Sequence, residues 1–183
     1  MYPHLTPAGP IMKLNRKELA TLPPETLAAD RAWWTKKAAG FLGPWLKPGA
    51  SVAHLTDWVE RVYLNHDTEG FAGNTRFLEL VEAQRTWSKL RSSLGGLYAW
   101  RAERVKDPDD KRRLAAEAEF AFQQAFALCP TSPEALYRYV NLLVSQGRTK
   151  DALALATTTE KLDSSNPQLP GLIQQLERMA KPK

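Results

Sequence analysis

His54, Asp57 and Glu60 are the first residues whose types and spacing could carry chemistry. They lie three residues apart on a predicted helix, so His54 and Asp57 share a face. An imidazole beside a carboxylate can exchange protons or bind a metal ion. A structural or catalytic zinc site needs three or four protein ligands, and no second cluster supplies them. We therefore predict no metal site here.

His66 and Asp67 are adjacent, directly after the same predicted helix. This pair is similar to the His-Asp dyad of phosphohydrolases, and those enzymes need further His and Asp residues. The chain has three histidines in total. We predict a solvated pair at a helix end, no catalytic residue and no cofactor. A free-standing enzyme using His54, Asp57, His66 and Asp67 is the alternative.

Basic residues are concentrated near the N-terminus. Residues 1–50 hold seven Lys/Arg and three Asp/Glu, whereas residues 51–107 hold eight of each. Weak binding of nucleic acid or anionic lipid is a further alternative, through Lys13, Arg16, Lys17, Lys36 and Lys37. The remainder is nearly neutral, so we predict no specific nucleic-acid partner.

The composition is that of a soluble helical domain. Of 183 residues, 43% are hydrophobic and 25% charged, and no apolar run approaches the roughly 18 residues that cross a bilayer. Cys129 is the single cysteine, which excludes an internal disulfide, and we expect it to be a small core side chain.

Proline and glycine divide the chain into three parts of one compact domain. Residues 1–22 form an extended lead-in with one short strand at Ile11–Leu14. Residues 23–74 hold two helices, starting at Pro23 and Ser51 and ending near Phe41 and Asn65. The adjacent Trp33 and Trp34 cannot both point inward, so one packs on the lead-in or marks an exposed contact patch.

Residues 75–183 hold the remaining helices of an all-α fold. Apolar residues spaced by three and four predict one long helix from Thr75 onward, with a buried seam formed by Leu80, Ala83, Trp87, Leu90, Leu94 and Leu97. Further helices are predicted at Lys111–Leu128, Pro133–Gln146, Thr149–Leu162 and Pro170–Ala180.

Small and aromatic residues within this region follow a repeat. The spacing of Leu94-Gly95, Tyr98, Ala118, Phe122 and Pro130 resembles a tetratricopeptide repeat, with Arg91 in place of the first Trp. Ala152 lies 34 residues after Ala118, which is one repeat length. The second unit departs from the pattern at Tyr139-Val140, Thr159 and Ser164.

The first hairpin of this repeat is enlarged. Tyr98 and Ala118 are 20 residues apart, about 11 more than an ordinary repeat allows. We predict two lengthened antiparallel helices with their turn at Asp107–Asp110. Gly95 and Gly96, unfavourable inside a helix, then predict either close approach of a neighbouring helix or a kink.

The resemblance implies a binding groove lined by the first helix of each pair. Polar residues there commonly hold extended peptides or carboxylate termini, and the matching positions are Lys89, Ser92, Gly96, Tyr137, Arg138 and Asn141. Arg138 could fork onto a carboxylate, and Asn141 could bond a peptide backbone. Alternatively, these residues are ordinary surface polars, or the N-terminal helices cover them.

A second resemblance covers residues 41–105, especially 57–63, 89–93 and 98–101. This stretch looks like the C-terminal region of an uncharacterised family of bacterial multi-pass membrane proteins similar to lipid-linked glycosyltransferases. It implies a soluble tail tethered through an upstream transmembrane region, on an unspecified side of the membrane. The leading hypothesis is therefore a noncatalytic scaffold domain that binds a protein or peptide, with a C-terminal helix capping the stack.

Overall fold

The computed structural model describes residues 2–181, and these residues form a small β-hairpin and a set of packed helices. The strands are β1 (Leu5–Ala8) and β2 (Ile11–Leu14), preceded by a 3-10 turn at Tyr2–His4. The helices are α1 (Pro24–Leu42), α2 (Val52–Val59, continued by a π-helical turn at Glu60–Leu64), α3 (Thr75–Glu79), α4 (Val81–Ala102), α5 (Pro108–Leu128), α6 (Pro133–Ser145), α7 (Thr149–Leu162) and α8 (Leu169–Ala180). The predicted all-α fold is confirmed.

Helix α4 and helix α5 form the enlarged hairpin, and glycine permits their contact. A Cβ placed on Gly95 would lie 2.7 Å from the Phe122 ring and 3.2 Å from the Ala121 methyl carbon. Ala118 and Ala152 are fully buried, as the repeat spacing requires. Thr159 stands where the repeat favours a small residue, and it is buried. Burial of its hydroxyl is tolerated because the hydroxyl donates to the Pro130 carbonyl at 3.1 Å.

The turn of this hairpin lies slightly earlier than predicted. Residues 103–107 connect the helices, and Pro108 already occupies the first position of α5. The Asp107 carboxylate accepts bonds from the Asp109 and Asp110 amides at 3.0 and 2.8 Å. An N-capping side chain followed by proline starts the helix here rather than at Lys111.

The predicted single helix from Thr75 is wrong, because the chain breaks at Leu80. Leu80 has φ −96° and ψ 76° and is 56% exposed, so it lies outside the buried seam. The Gln84 amide donates to the Phe77 and Leu78 carbonyls at 3.0 and 2.8 Å. Both bonds come from the Gln84 side chain: the Leu78 carbonyl gains a donor at the end of α3, and the Phe77 carbonyl, which already accepts from the Leu80 amide, gains a second donor.

The seam of α4 is also more polar than predicted. Leu94 and Leu97 are buried, but Ala83, Trp87 and Leu90 are only half-buried. The other buried residues on this face of α4 are polar: Gln84, Ser88, Arg91 and Ser92. These polar side chains tolerate burial because each finds a hydrogen-bond partner; the Ser88 hydroxyl, for example, donates to the Ala125 carbonyl at 2.8 Å.

The lead-in contains a hairpin rather than a single strand. β1 pairs antiparallel with β2, from Leu5 with Leu14 to Ala8 with Ile11, around Gly9 at φ +66°. Pro7 inside β1 hides this strand from sequence reasoning, because proline normally argues against a strand. Buried Arg101 anchors the lead-in by donating to the Leu19, Pro3 and Leu5 carbonyls at 2.8, 3.1 and 3.0 Å.

Both adjacent tryptophans contact this hairpin. Trp34 is fully buried, and its indole N–H donates to the Gly9 carbonyl at 3.1 Å. Trp33 remains 37% exposed, with its ring against the same glycine. The expectation that one of the pair packs on the lead-in is confirmed.

The N-terminal helices pack on the second helix of each repeat pair. Helix α1 contacts α5, and α2 contacts both α5 and α7. The Tyr63 hydroxyl donates to the Ala127 carbonyl at 2.9 Å, and Glu60 accepts from Thr158 and Lys161, both at 2.7 Å. The Lys161 bond lowers the pKa of Glu60. The first helices of the pairs, α4 and α6, contact each other.

Three phenols, the buried Tyr98 and Tyr139 and the half-buried Tyr63, make stability sensitive to alkaline pH. Burial is the main cause that raises the pKa of each above its ordinary value near 10. Below pH 10 the folded and unfolded states are both protonated at these groups. Above it, the unfolded chain loses protons that the folded chain retains, so stability falls as pH rises.

We expect the free energy of unfolding to fall by about 1.4 kcal/mol per pH unit for each of these tyrosines above pH 10. Urea unfolding from pH 8 to 11 measures this slope. Tyr63→Phe removes one titrating group. It should therefore reduce the slope by about 1.4 kcal/mol per pH unit, whatever it does to stability at pH 8. An unchanged slope would show that Tyr63 ionises equally in both states.

Candidate peptide-binding groove

An open cavity of about 320 Å³ lies where α4 and α6 meet. The cavity is lined by residues of α4, α5 and α6, by Glu103 just after α4, and by the Tyr2 ring near the N-terminus. The lining residues are Tyr2, Gly96, Ala99, Trp100, Glu103, Phe122, Arg138, Asn141, Leu142 and Ser145.

The Arg138 side chain contacts α4 at two small residues, Gly96 and Ser92. A Cβ on Gly96 would lie 3.5 Å from Arg138 Nη1, an ordinary contact distance. The same nitrogen donates to the Ser92 hydroxyl at 3.5 Å, and that hydroxyl donates to the Glu134 carbonyl at 3.2 Å. Among residues 2–181, no carboxylate forms an ion pair with Arg138, so its charge remains available to a ligand.

The predicted groove residues divide into two groups. Gly96, Arg138 and Asn141 meet in the cavity. Ser92 is fully buried, and its hydroxyl accepts a hydrogen bond from Arg138. Its side chain therefore positions the guanidinium, and a ligand would not reach it.

Lys89 and Tyr137 lie away from this cavity. The Lys89 ammonium is exposed, 3.7 Å from a Glu134 carboxylate oxygen. The Tyr137 hydroxyl donates to the Gln168 side chain at 3.2 Å, next to α8. Any contribution of these two residues to binding requires a ligand that extends beyond the cavity.

Sequence reasoning missed the aromatic wall of the cavity. The Tyr2 and Trp100 rings stack with centroids 5.2 Å apart, and the Arg104 guanidinium lies 4.2 Å from the Trp100 ring centroid. Trp100 follows Gly96 by four residues, so helical periodicity already placed it on the same face. Glu103, which also lines the cavity, is bonded to Arg104 at 3.3 Å.

A buried polar cluster on the α1 side of α4 explains why Arg91 replaces the Trp of the repeat. Arg91 Nη1 donates to Asp30 Oδ2 at 2.8 Å, and Arg91 Nε donates to Gln124 at 2.7 Å. The Tyr98 hydroxyl donates to the same Asp30 oxygen at 2.6 Å. Burial first, and then Asp30, raise the pKa of Tyr98. The cluster connects α1 to the α4–α5 hairpin. The sequence around Asp30 contains no motif that would have predicted this role.

The residues weighed for acid–base chemistry are spread along an exposed surface. His54, Asp57, His66 and Asp67 are all exposed. The His54 ring lies against Trp45 with centroids 5.4 Å apart, and Asp67 accepts from the Glu69 amide. Within residues 2–181 no group of three or more His, Cys, Asp or Glu side chains could hold a metal ion. Cys129 is buried, and burial raises the pKa of its thiol.

Comparison with known proteins agrees with the repeat geometry. Residues 113–176, which include most of α5, both α6 and α7, and most of α8, match the tetratricopeptide repeat family. No curated protein and no solved structure matches the chain. The predicted resemblance to a tetratricopeptide repeat is confirmed for residues 113–176. The likeness of residues 41–105 to bacterial membrane proteins stays a prediction, and none of the helices in residues 2–181 combines the length and apolarity needed to cross a bilayer.

Proposed function

We propose that this protein is a noncatalytic interaction module that holds a peptide segment of a partner protein in the cavity between α4 and α6. Tetratricopeptide repeats commonly mediate protein–protein contacts, and the matched residues supply one wall of this cavity. The observation that carries the proposal is Arg138, which Ser92 supports and which no carboxylate of the described chain neutralises.

The cavity offers complementary chemistry to a short peptide. Arg138 presents a planar set of donors suited to a carboxylate, from either a side chain or a chain terminus. Asn141 can both donate to and accept from a peptide backbone. The stacked Tyr2 and Trp100 rings supply an apolar wall at the same cavity.

The position of the N-terminal helices favours an open groove. Helix α2 contacts α5 and α7, and α1 contacts α5 and the Arg91 side of α4, whereas none of the residues that line the cavity belongs to α1 or α2. Of the N-terminal part, Tyr2 reaches the cavity wall. A volume of about 320 Å³ is at the lower end of the range for ligand sites, so we expect a lone peptide to bind weakly.

We also propose that the module is the soluble tail of a longer bacterial membrane protein similar to lipid-linked glycosyltransferases. Support for this comes from the sequence of residues 41–105 alone. Sequencing upstream of the corresponding gene tests it, because a parent of this kind encodes several hydrophobic spans before residue 1. An upstream region without such spans would remove the proposal and leave the interaction module unaffected.

Binding of a selected peptide should depend on Arg138. We expect Arg138→Ala to weaken binding by about ten- to hundredfold, because a hydrogen bond to a charged group contributes about 1.5–3 kcal/mol. Asn141→Ala should weaken it less, by about fivefold. Fluorescence anisotropy with peptides selected from a displayed random library against the wild-type protein measures both effects.

Arg85→Ala is the matched control, since Arg85 is an exposed arginine of α4 paired with Glu82 outside the cavity. Arg138→Lys adds a second comparison, because lysine keeps the charge and loses the planar fork. Equal affinities for wild type, Arg138→Ala and Arg85→Ala would remove the cavity from the binding site.

A further inference from the structure

The tip of the β1–β2 hairpin, Trp33 of α1 and the half-buried Trp87 of α4 form a partly exposed apolar surface outside the groove. Gly9 lies on Trp33, since a Cβ built there would be 3.5 Å from Trp33 Cε2. Ile11 pairs with Ala8 beside this turn and is 63% exposed. The Trp33 and Trp87 ring centroids are 6.4 Å apart. We call this set (Ile11, Trp33 and Trp87) the hairpin-tip surface.

Lysines border the hairpin-tip surface along α1. Lys36 is exposed and follows Trp33 by three residues, which places both on one face of the helix. The Lys37 ammonium lies 4.6 Å from the Trp87 ring centroid and 5.1 Å from that of Phe41. The apolar and cationic groups are therefore interleaved.

Further cations extend along the hairpin. Lys13, Arg16 and Lys17 are exposed on β2 and just after it. Lys13 is two residues from Ile11 on the same face of β2, whereas Arg16 and Lys17 follow the far end of the strand and add positive charge to the hairpin as a whole. Two acids of this part, Glu18 and Glu25, are exposed, and Glu25 borders the cavity beside Gly9 and Trp33. Asp30 is buried and paired with Arg91, so the exposed cations still outnumber the exposed acids.

We propose that the hairpin-tip surface docks on an anionic phospholipid membrane. A soluble polyanion would need the cations alone, whereas this surface also exposes isoleucine and tryptophan. Aliphatic side chains enter the acyl boundary, tryptophan rings lie at the headgroup level, and lysine stems reach past apolar surface to the phosphates. One aliphatic residue and a few cations give reversible binding rather than stable anchoring.

Sedimentation of the full chain with two kinds of vesicle tests this inference. Vesicles of phosphatidylcholine mixed with phosphatidylserine should bind the protein, and vesicles of phosphatidylcholine alone should bind at least tenfold less. Ile11→Asp should lower binding to the mixed vesicles at least tenfold, because it removes the inserted group and adds a negative charge. Lys36→Gln should lower it about fivefold, the effect of one cation near an anionic surface.

Two variants far from the hairpin serve as controls. Met179→Asp changes a residue of α8 that is 49% exposed, and Lys150→Gln removes an exposed cation of α7. Neither should change vesicle binding. Absence of binding to the mixed vesicles would overturn the inference. So would an equal loss in Met179→Asp, or binding that Ile11→Asp leaves intact while a soluble RNA homopolymer competes it away, because that result identifies a polyanion site.

Discussion

Asp30→Ala should lower the free energy of unfolding by about 3–5 kcal/mol, the largest effect we expect from a single substitution. Arg91 is fully buried, and its ion pair with Asp30 spans 2.8 Å between two side chains that are almost free of solvent. Removing Asp30 leaves the guanidinium buried without a counter-charge and leaves the Tyr98 hydroxyl without its acceptor. Urea unfolding followed by circular dichroism measures the change.

A double variant separates the charge from the packing. Asp30→Leu combined with Arg91→Met removes both charges, and we expect it to be more stable than Asp30→Ala, because apolar replacement of a buried pair is often neutral or better. Glu82→Ala is the surface control, since the Glu82–Arg85 pair is exposed and should contribute no more than about 1 kcal/mol. The buried pair would lose its proposed importance if Asp30→Ala cost no more than Glu82→Ala.

Gly95→Ala should also destabilise the protein, by about 1–3 kcal/mol or more, although alanine normally favours a helix. The new methyl group would lie 2.7 Å from Phe122 Cε1, closer than real Cβ contacts allow. Phe122 is buried, and its ring stacks on Tyr139 with centroids 6.2 Å apart, so displacing the ring toward the cavity costs that contact. Thermal and urea unfolding of the variant measure the loss.

Gly96→Ala provides a control one residue away with the opposite expected sign. Its Cβ would meet only the Arg138 guanidinium, at 3.5 Å, so the gain in helix propensity should dominate. We expect stabilisation by about 0.5–1 kcal/mol. If both variants change stability in the same direction by similar amounts, close approach between α4 and α5 is not what requires Gly95.

The buried pair also shows how the N-terminal part relates to the repeat. In an extended stack, a hairpin packs against another repeat. Here α1 contacts α5, and Asp30 bonds to the side chain that stands where the repeat carries Trp. The departure at Arg91 is thus one half of a complementary pair between two parts of the chain.

The sequence predicted the helices and the repeat well because local rules govern both. Ala118, Ala152 and Gly95 are small where helices must approach, and Pro133 lies at a helix start. Such positions depend on periodicity and backbone chemistry within a few residues. The break at Leu80 was not predicted, because it depends on a side-chain bond from Gln84, four residues later, to the carbonyls at the end of α3, and the residue type alone does not indicate that bond.

The sequence by itself determined that this protein is helical, repeats with a period of 34 residues and keeps small side chains between the paired helices. Only the tertiary structure decided that Asp30 neutralises Arg91, that Arg101 binds the lead-in, and that Arg138 and Asn141 meet while Lys89 and Tyr137 do not. The physical reason is the range of the interactions. Helix propensity and apolar periodicity act between neighbours in the chain, whereas a buried charge is stable only when a partner from a distant segment reaches it.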